Sequence, residues 1–192
     1  MADPKTQFYG ASSLDGFLAT SDDSLEWLLQ LGDGAPTYAA FIADVGAIAM
    51  GAATYEWLLR HHLRPGSPEE QPWPYAQPTW VFTHRTLPTV PSADLRFVSG
   101  DGTPIHAAMR AAAGEKNIWL VGGGELVGQF VDRDLLDELI VQIAPVTLGA
   151  GKPLLPRSLH SPPLRLLSAQ QFGDTFVELR YELPRAPTSQ PP

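Results

Sequence analysis

The residues with the clearest chemical potential are three consecutive glycines, Gly122, Gly123 and Gly124, set between the apolar run Ile118-Trp119-Leu120-Val121 and the pair Glu125-Leu126. Glycines let a backbone approach a ligand with no Cβ in the way. A helix opening near Gly124 would turn free N–H groups and the positive end of its dipole towards an anion. The pyrophosphate of a dinucleotide is such an anion; a tight strand-to-helix turn without a ligand is the alternative. Two phosphate fingerprints do not account for the run. G-x-G-x-x-G would need glycine where the chain has Val127, and Gly149-Ala150-Gly151-Lys152 is followed by Pro153 rather than Ser or Thr, so it is no P-loop. A second candidate is Asp15, in the turn pair Asp15-Gly16. It either orients substrate and assists proton delivery, or simply makes its turn.

Other chemistries lack their residues. The chain has no cysteine, which removes disulfides, thiolate metal sites and cysteine nucleophiles and is in keeping with an intracellular protein. His61 and His62 are adjacent while His84, His106 and His160 are scattered, so metal-ligand spacing is missing and no metal is expected. There is no G-x-S-x-G elbow of a serine hydrolase. A formal net charge of −8 without a Lys/Arg cluster argues against nucleic acid or an anionic membrane as partner and leaves small molecules. No apolar run approaches the roughly 20 residues of a membrane-spanning helix, and the first residues are polar, so a cytoplasmic location is expected.

The elements that must position these groups read as βαβ grammar. Residues 8–14 form a strand that folds back at Asp15-Gly16 into Phe17-Leu18-Ala19. From Pro36, the residues Tyr38, Phe41, Ile42 and Val45 fall on one face of a helix, and Ala47-Ile48-Ala49-Met50 is a buried strand ended by Gly51. A helix over 54–60 and a long exposed loop over 61–78 follow. Strands at 79–83 and 95–98 precede a helix capped by Thr103, with Pro104 in its first position and Gly114 after its end. A short helix with Leu126, Val127, Phe130 and Val131 on one side follows the glycines, and 137–144 is another strand. Segments 164–171 and 175–183 form a long antiparallel hairpin. The sum is a three-layer α/β/α domain with a mainly parallel sheet, which binds ligands at the carboxyl ends of its strands. With 192 residues, 44% of them hydrophobic, one domain over 1–183 is expected, followed by a proline-rich disordered tail over 184–192.

In this order the motifs resemble the dihydrofolate reductase superfamily, specifically the reductase (RibD C-terminal) domain of bifunctional riboflavin-biosynthesis proteins and its stand-alone relatives. The resemblance rests on Ser13-Leu14-Asp15-Gly16-Phe17-Leu18-Ala19, Met50-Gly51-Ala52-Ala53-Thr54-Tyr55-Glu56, Val121-Gly122-Gly123-Gly124, and the stretch from Asp137-Glu138-Leu139 through 145–155. It implies a dihydrofolate reductase-like fold and an NADPH-dependent reductase that passes a hydride to a C=N or C=O carbon. By the same resemblance the cofactor pyrophosphate lies on Gly122, Gly123, Gly124 and the amides of Glu125 and Leu126. Gly51 and Thr54 offer a second helix start. Thr83, His84 and Arg85 approach the adenosine 2′-phosphate, where Arg85 is either the charge that selects NADPH or a solvated surface group; relatives often carry arginine where this chain has Ala52.

The substrate half departs from both branches. Dihydrofolate reductases carry a carboxylate on the first long helix, and the corresponding face here offers Thr37, Tyr38 and Phe41 and no acid. The riboflavin reductases usually carry Glu where this chain has Gly122, and their fused zinc deaminase half needs cysteines that are absent. Trp27, Phe41, Tyr55 and Trp57 either line an aromatic pocket or are ordinary core, and Lys152 either meets an anionic substrate or is loop surface. The resemblance implies a homodimer. The expected function is reduction of a small heterocyclic or carbonyl compound, with a non-catalytic nucleotide-binding protein as the rival and aminouracil-phosphate reduction as a second enzymatic one.

Overall fold

Short apolar runs, many of them alternating between two buried faces, set the frame of the molecule. In the computed structural model, which describes residues 3–32 and 36–184, the chain runs β1 (Thr6–Ser12), β2 (Phe17–Ala19), α1 (Glu26–Leu29), α2 (Tyr38–Ala43), β3 (Val45–Gly51) and α3 (Ala52–Trp57). A π-helical turn (Leu58–Leu63), β4 (Thr79–Phe82), β5 (Leu95–Val98), α4 (Gly102–Ala113), β6 (Asn117–Gly122) and α5 (Gly124–Val131) follow. The last strands are β7 (Glu138–Ile143), β8 (Lys152–Pro153), β9 (Arg165–Phe172) and β10 (Phe176–Glu182).

The eight-stranded sheet has the order β5-β4-β3-β6-β1-β7-β10-β9. The first six strands are parallel, and β10 runs antiparallel to β7 and to β9. Because strand side chains alternate, Ile118 and Leu120 face one side of β6 and Trp119 the other. On the first side they join Phe8, Ala47 and Ala49 beneath Met109 of α4 and Val127 and Phe130 of α5. On the second, Val45, Ile48, Met50 and Ile140 pack with Tyr55 and Leu58. Ile48, Ile118 and Leu120 are fully buried, and each such side chain contributes about 1.5–3 kcal/mol. This is the three-layer, mainly parallel architecture with an antiparallel C-terminal hairpin that the motif order implies.

Several boundaries differ from the sequence reading for identifiable reasons. The helix from Pro36 stops at Ala43, because Asp44 gives its carbonyl to the Asn117 N–H (2.8 Å) and Val45 is drawn into pairing with β6. The helix expected over 54–60 begins at Ala52 and passes into the π-helical turn, which occupies the start of the expected loop. That loop is not uniformly exposed, since its own Leu63 and Trp73 are buried. The cap of α4 is Asp101, whose carboxylate accepts the Thr103 N–H at 3.1 Å, rather than Thr103 itself. The fold-back at Asp15-Gly16 occurs, but β2 leaves the sheet and pairs with the two-residue β8. Of the expected C-terminal tail, residues 185–192 lie outside the described residues.

Candidate functional site

Parallel pairing of β3 with β6 brings Met50 opposite Gly122, so the helices that follow these strands start side by side. A Cβ on Gly51 would stand 3.7 Å from the Gly123 nitrogen and 3.8 Å from the Gly122 oxygen. Gly122 has φ +138°, a conformation closed to ordinary residues, and the Gly122–Gly123 peptide is cis. Thr54 reaches the same point, its Oγ1 lying 3.9 Å from where a Gly122 Cβ would be. Gly124 has no room at all, because a Cβ there would fall 2.3 Å from the Pro153 carbonyl oxygen. Gly123 is the exception: nothing lies within 4 Å of the space its Cβ would fill.

The start of α5 leaves donors free beside that space. Val127 N–H makes the first helical bond, to the Gly123 carbonyl at 3.2 Å, so the N–H groups of Gly124, Glu125 and Leu126 have no intrahelical partner. Neither α3 nor α5 has a side-chain cap. The arrangement is a small, open, N–H-lined corner with partial positive charge, the chemistry of an anion cradle. The glycine run lines neither of two open clefts, of about 690 and 350 Å³, formed elsewhere by described residues, so main-chain geometry rather than cavity volume marks this corner.

The surrounding candidates sort into those near the corner and those spent on other tasks. Thr83 follows β4, the neighbour of β3, and its Oγ1 accepts the Arg85 N–H at 2.9 Å. The Arg85 guanidinium makes a bidentate pair with Glu56 of α3, at 3.0 and 2.8 Å. It is therefore neither a free positive charge nor merely solvated, while His84 is exposed. The Glu125 carboxylate is gripped by Arg157 at 3.1 and 2.8 Å, which holds its pKa below the usual carboxylate value, and Arg157 also binds Asp132. The Leu126 side chain belongs to the core, so only its main chain is left to serve the corner.

Asp15 stands on the rim through a strap of backbone. Its carboxylate accepts Ser13 Oγ–H (2.6 Å), Gly149 N–H (2.7 Å) and Leu148 N–H (3.1 Å), and the Ser13 bond, with these, lowers its pKa. Leu154 N–H donates to the Gly16 carbonyl at 2.9 Å, and the Pro153 and Leu154 carbonyls cover Gly124. One short segment thus touches both the Asp15 turn and the start of α5. Lys152 lies 3.5 Å from Asp23 on the surface. Trp27 is in a separate small cluster with Ala144 and Phe176, and Phe41 stacks on Tyr9 with centroids 4.3 Å apart. The structure does not bring Trp27, Phe41 and Lys152 together. Tyr55 and Trp57 both pack into the second core layer.

The acid that the sequence did not offer beside Thr37 comes from β10. Buried Glu178 accepts the Thr37 hydroxyl at 2.7 Å and Gln142 Nε2–H at 3.1 Å. A carboxylate can only accept, so the Thr37 proton points to Glu178, and the Tyr9 hydroxyl, 2.9 Å from Thr37 Oγ1, donates to it. Gln142 in turn donates to Tyr9 at 2.6 Å. The available signal was the phase of β10: Glu178 shares the inward phase of Phe176 while Val177 faces out.

Comparison with known proteins follows the same lines. A family model described as the RibD C-terminal domain matches residues 70–177. The uncharacterized protein YwjB of Bacillus subtilis (strain 168) is 35% identical over 179 residues, covering 92% of this chain and 97% of that protein. Among solved structures, a Shewanella sp. PV-4 protein named for riboflavin biosynthesis is similar with a TM-score of 0.75 and 25% identity, over 94% of this chain and 99% of that one. Enterococcus faecalis dihydrofolate reductase, solved with NADP(H), is similar in fold, with a TM-score of 0.59 and 11% identity over 93% and 95% of the chains.

Proposed function

This chain belongs to the RibD C-terminal domain family, and from that premise we propose that it is an NADPH-dependent reductase of a small heterocyclic or carbonyl compound. One observation carries the cofactor half of the reading: an uncapped helix start at α5, with three N–H groups that have no partner among the described residues, opens on unfilled space at Gly123 directly beside Gly51. The N–H groups of Gly124, Glu125 and Leu126 would hold the pyrophosphate, with the Thr54 hydroxyl facing it from α3. Arg85 would meet a 2′-phosphate by exchanging part of its pairing with Glu56. A nicotinamide bound there supplies the hydride. Asp15 acts as a positioning residue, because its carboxylate fixes the 148–149 backbone on the substrate side. The NADP(H) complex of the Enterococcus faecalis enzyme supports the choice of cofactor, and the homodimer implied by the resemblance belongs to the same proposal.

The rival, a nucleotide-binding protein without chemistry, draws on the engagement of every Asp15 contact within its own loops. Titration of NADPH against quenching of the five tryptophans, with NADH alongside, tests the binding half. We expect saturable quenching by NADPH that Gly123→Asp weakens by at least about tenfold, since the new carboxylate fills the open space and repels the anion. Absence of binding to both nucleotides overturns the proposal. Binding without NADPH oxidation across a panel of heterocycles and carbonyl compounds favours the rival.

A further inference from the structure

The larger open cleft, about 690 Å³, lies apart from the glycine corner, between the π-helical turn with its following loop and the 88–92 segment. Its walls are largely apolar, formed by Leu59, Leu63, Val90 and Pro91, and Trp73 lines it. Trp73 is 8% exposed, and its indole N–H is buried with no acceptor. A buried donor left unpaired is a defect that native structures rarely keep without use. Arg60 stands on the rim and makes no ion pair among the described residues, whereas nearby Arg64 pairs with Glu69. Glu70, the acid on the same rim, accepts the Gly66 N–H at 2.7 Å.

These features specify a ligand by its chemistry: a flat apolar body for the walls, an acceptor for the indole N–H, and a negative charge for Arg60. We propose that this cleft is a binding site for an amphipathic organic anion, such as an aromatic carboxylate or sulfonate, separate from the nucleotide corner. The volume falls within the range of small-molecule sites. A protein of net charge −8 repels anions in general, so a guanidinium without an ion pair among the described residues, over an apolar cleft, is a selective feature. One residue links the cleft to the chain segment at the nucleotide corner. Tyr55, next in sequence to Thr54, donates its hydroxyl to the Pro88 carbonyl at 2.5 Å and packs its ring 5.9 Å from that of Trp73.

The test uses 8-anilinonaphthalene-1-sulfonate, a fluorescent molecule of this class. Full-length protein should enhance its fluorescence with one site per chain, undiminished by saturating NADPH. Trp73→Phe, which removes the donor and keeps a ring, should weaken binding about tenfold. Arg60→Ala should weaken it several-fold at low salt, with the difference shrinking as salt screens the charge. Thr89→Trp, on the exposed rim, should block the cleft. The two surface variants remain informative if Trp73→Phe does not fold. No enhancement, displacement by NADPH, or binding that Arg60→Ala and Thr89→Trp leave unchanged would overturn the proposal.

Discussion

At Gly124 a methyl group would meet the Pro153 carbonyl oxygen at 2.3 Å and that of Leu154 at 2.6 Å, so Gly124→Ala forces main chain against main chain. At Gly123 the same methyl enters open space, and φ is −75°, which alanine adopts freely. Urea denaturation should therefore separate two neighbours that look alike in the sequence. Gly124→Ala should lose about 1–3 kcal/mol, while Gly123→Ala should stay within about 0.5 kcal/mol of the parent and still bind NADPH more weakly. Equal stability losses at the two positions would show that Gly123 is packed as tightly as Gly124. The glycine run was legible from the sequence as a place where backbone comes close to something. Which glycine meets protein and which meets open space was not, because the packing partner is supplied by residues some thirty positions later.

The elements are held in place by contacts that local pattern does not reveal. Helix α2 has no buried residue and is fastened to the sheet partly through Thr37, whose hydroxyl links Tyr9 of β1 and Glu178 of β10. Thr37→Val keeps the shape and removes both bonds, leaving a buried carboxylate one donor short. It should cost about 1–3 kcal/mol in chemical denaturation. An unchanged midpoint would mean that water replaces the hydroxyl. The central strands were legible because each is a short apolar run bounded by turn residues. The helix after Pro36 was read two residues too long because Val45 continues its helical phase while also being the first residue able to pair with Asn117. The two-residue ladder of β2 with β8 joins segments more than a hundred residues apart and carries no periodicity.

Across the whole molecule, stability should be graded along the sheet. β3, β6 and β1 are covered on both faces, whereas β9, at one end, is exposed along most of its length, with Leu166 53% exposed. Native-state hydrogen exchange should show the amides of Ile48, Ala49 and Leu120 opening only with global unfolding, and those of β9 exchanging through smaller fluctuations. Uniform protection across both would indicate that the hairpin is covered in solution, as a dimer through that edge would cover it. The mainly parallel three-layer plan with its antiparallel hairpin was legible once the motifs were read as a known series, while the burial of Trp73 within a Pro-rich, polar stretch was hidden by its surroundings. The Pro153–Leu154 strap has a bearing on how this molecule can vary. It is held by main-chain atoms on both sides, Gly16 and Gly124, and Leu154 packs against the core as well, so its length is fixed. Insertions that reshape the neighbouring loop to admit a different molecule must therefore fall before Gly151, whose own Cβ position is closed by the Ala19 carbonyl at 2.2 Å. A library for altered specificity would keep 151–154 at fixed length, keep Gly149 with its φ of +72°, and randomise the exposed Thr147 and Ala150.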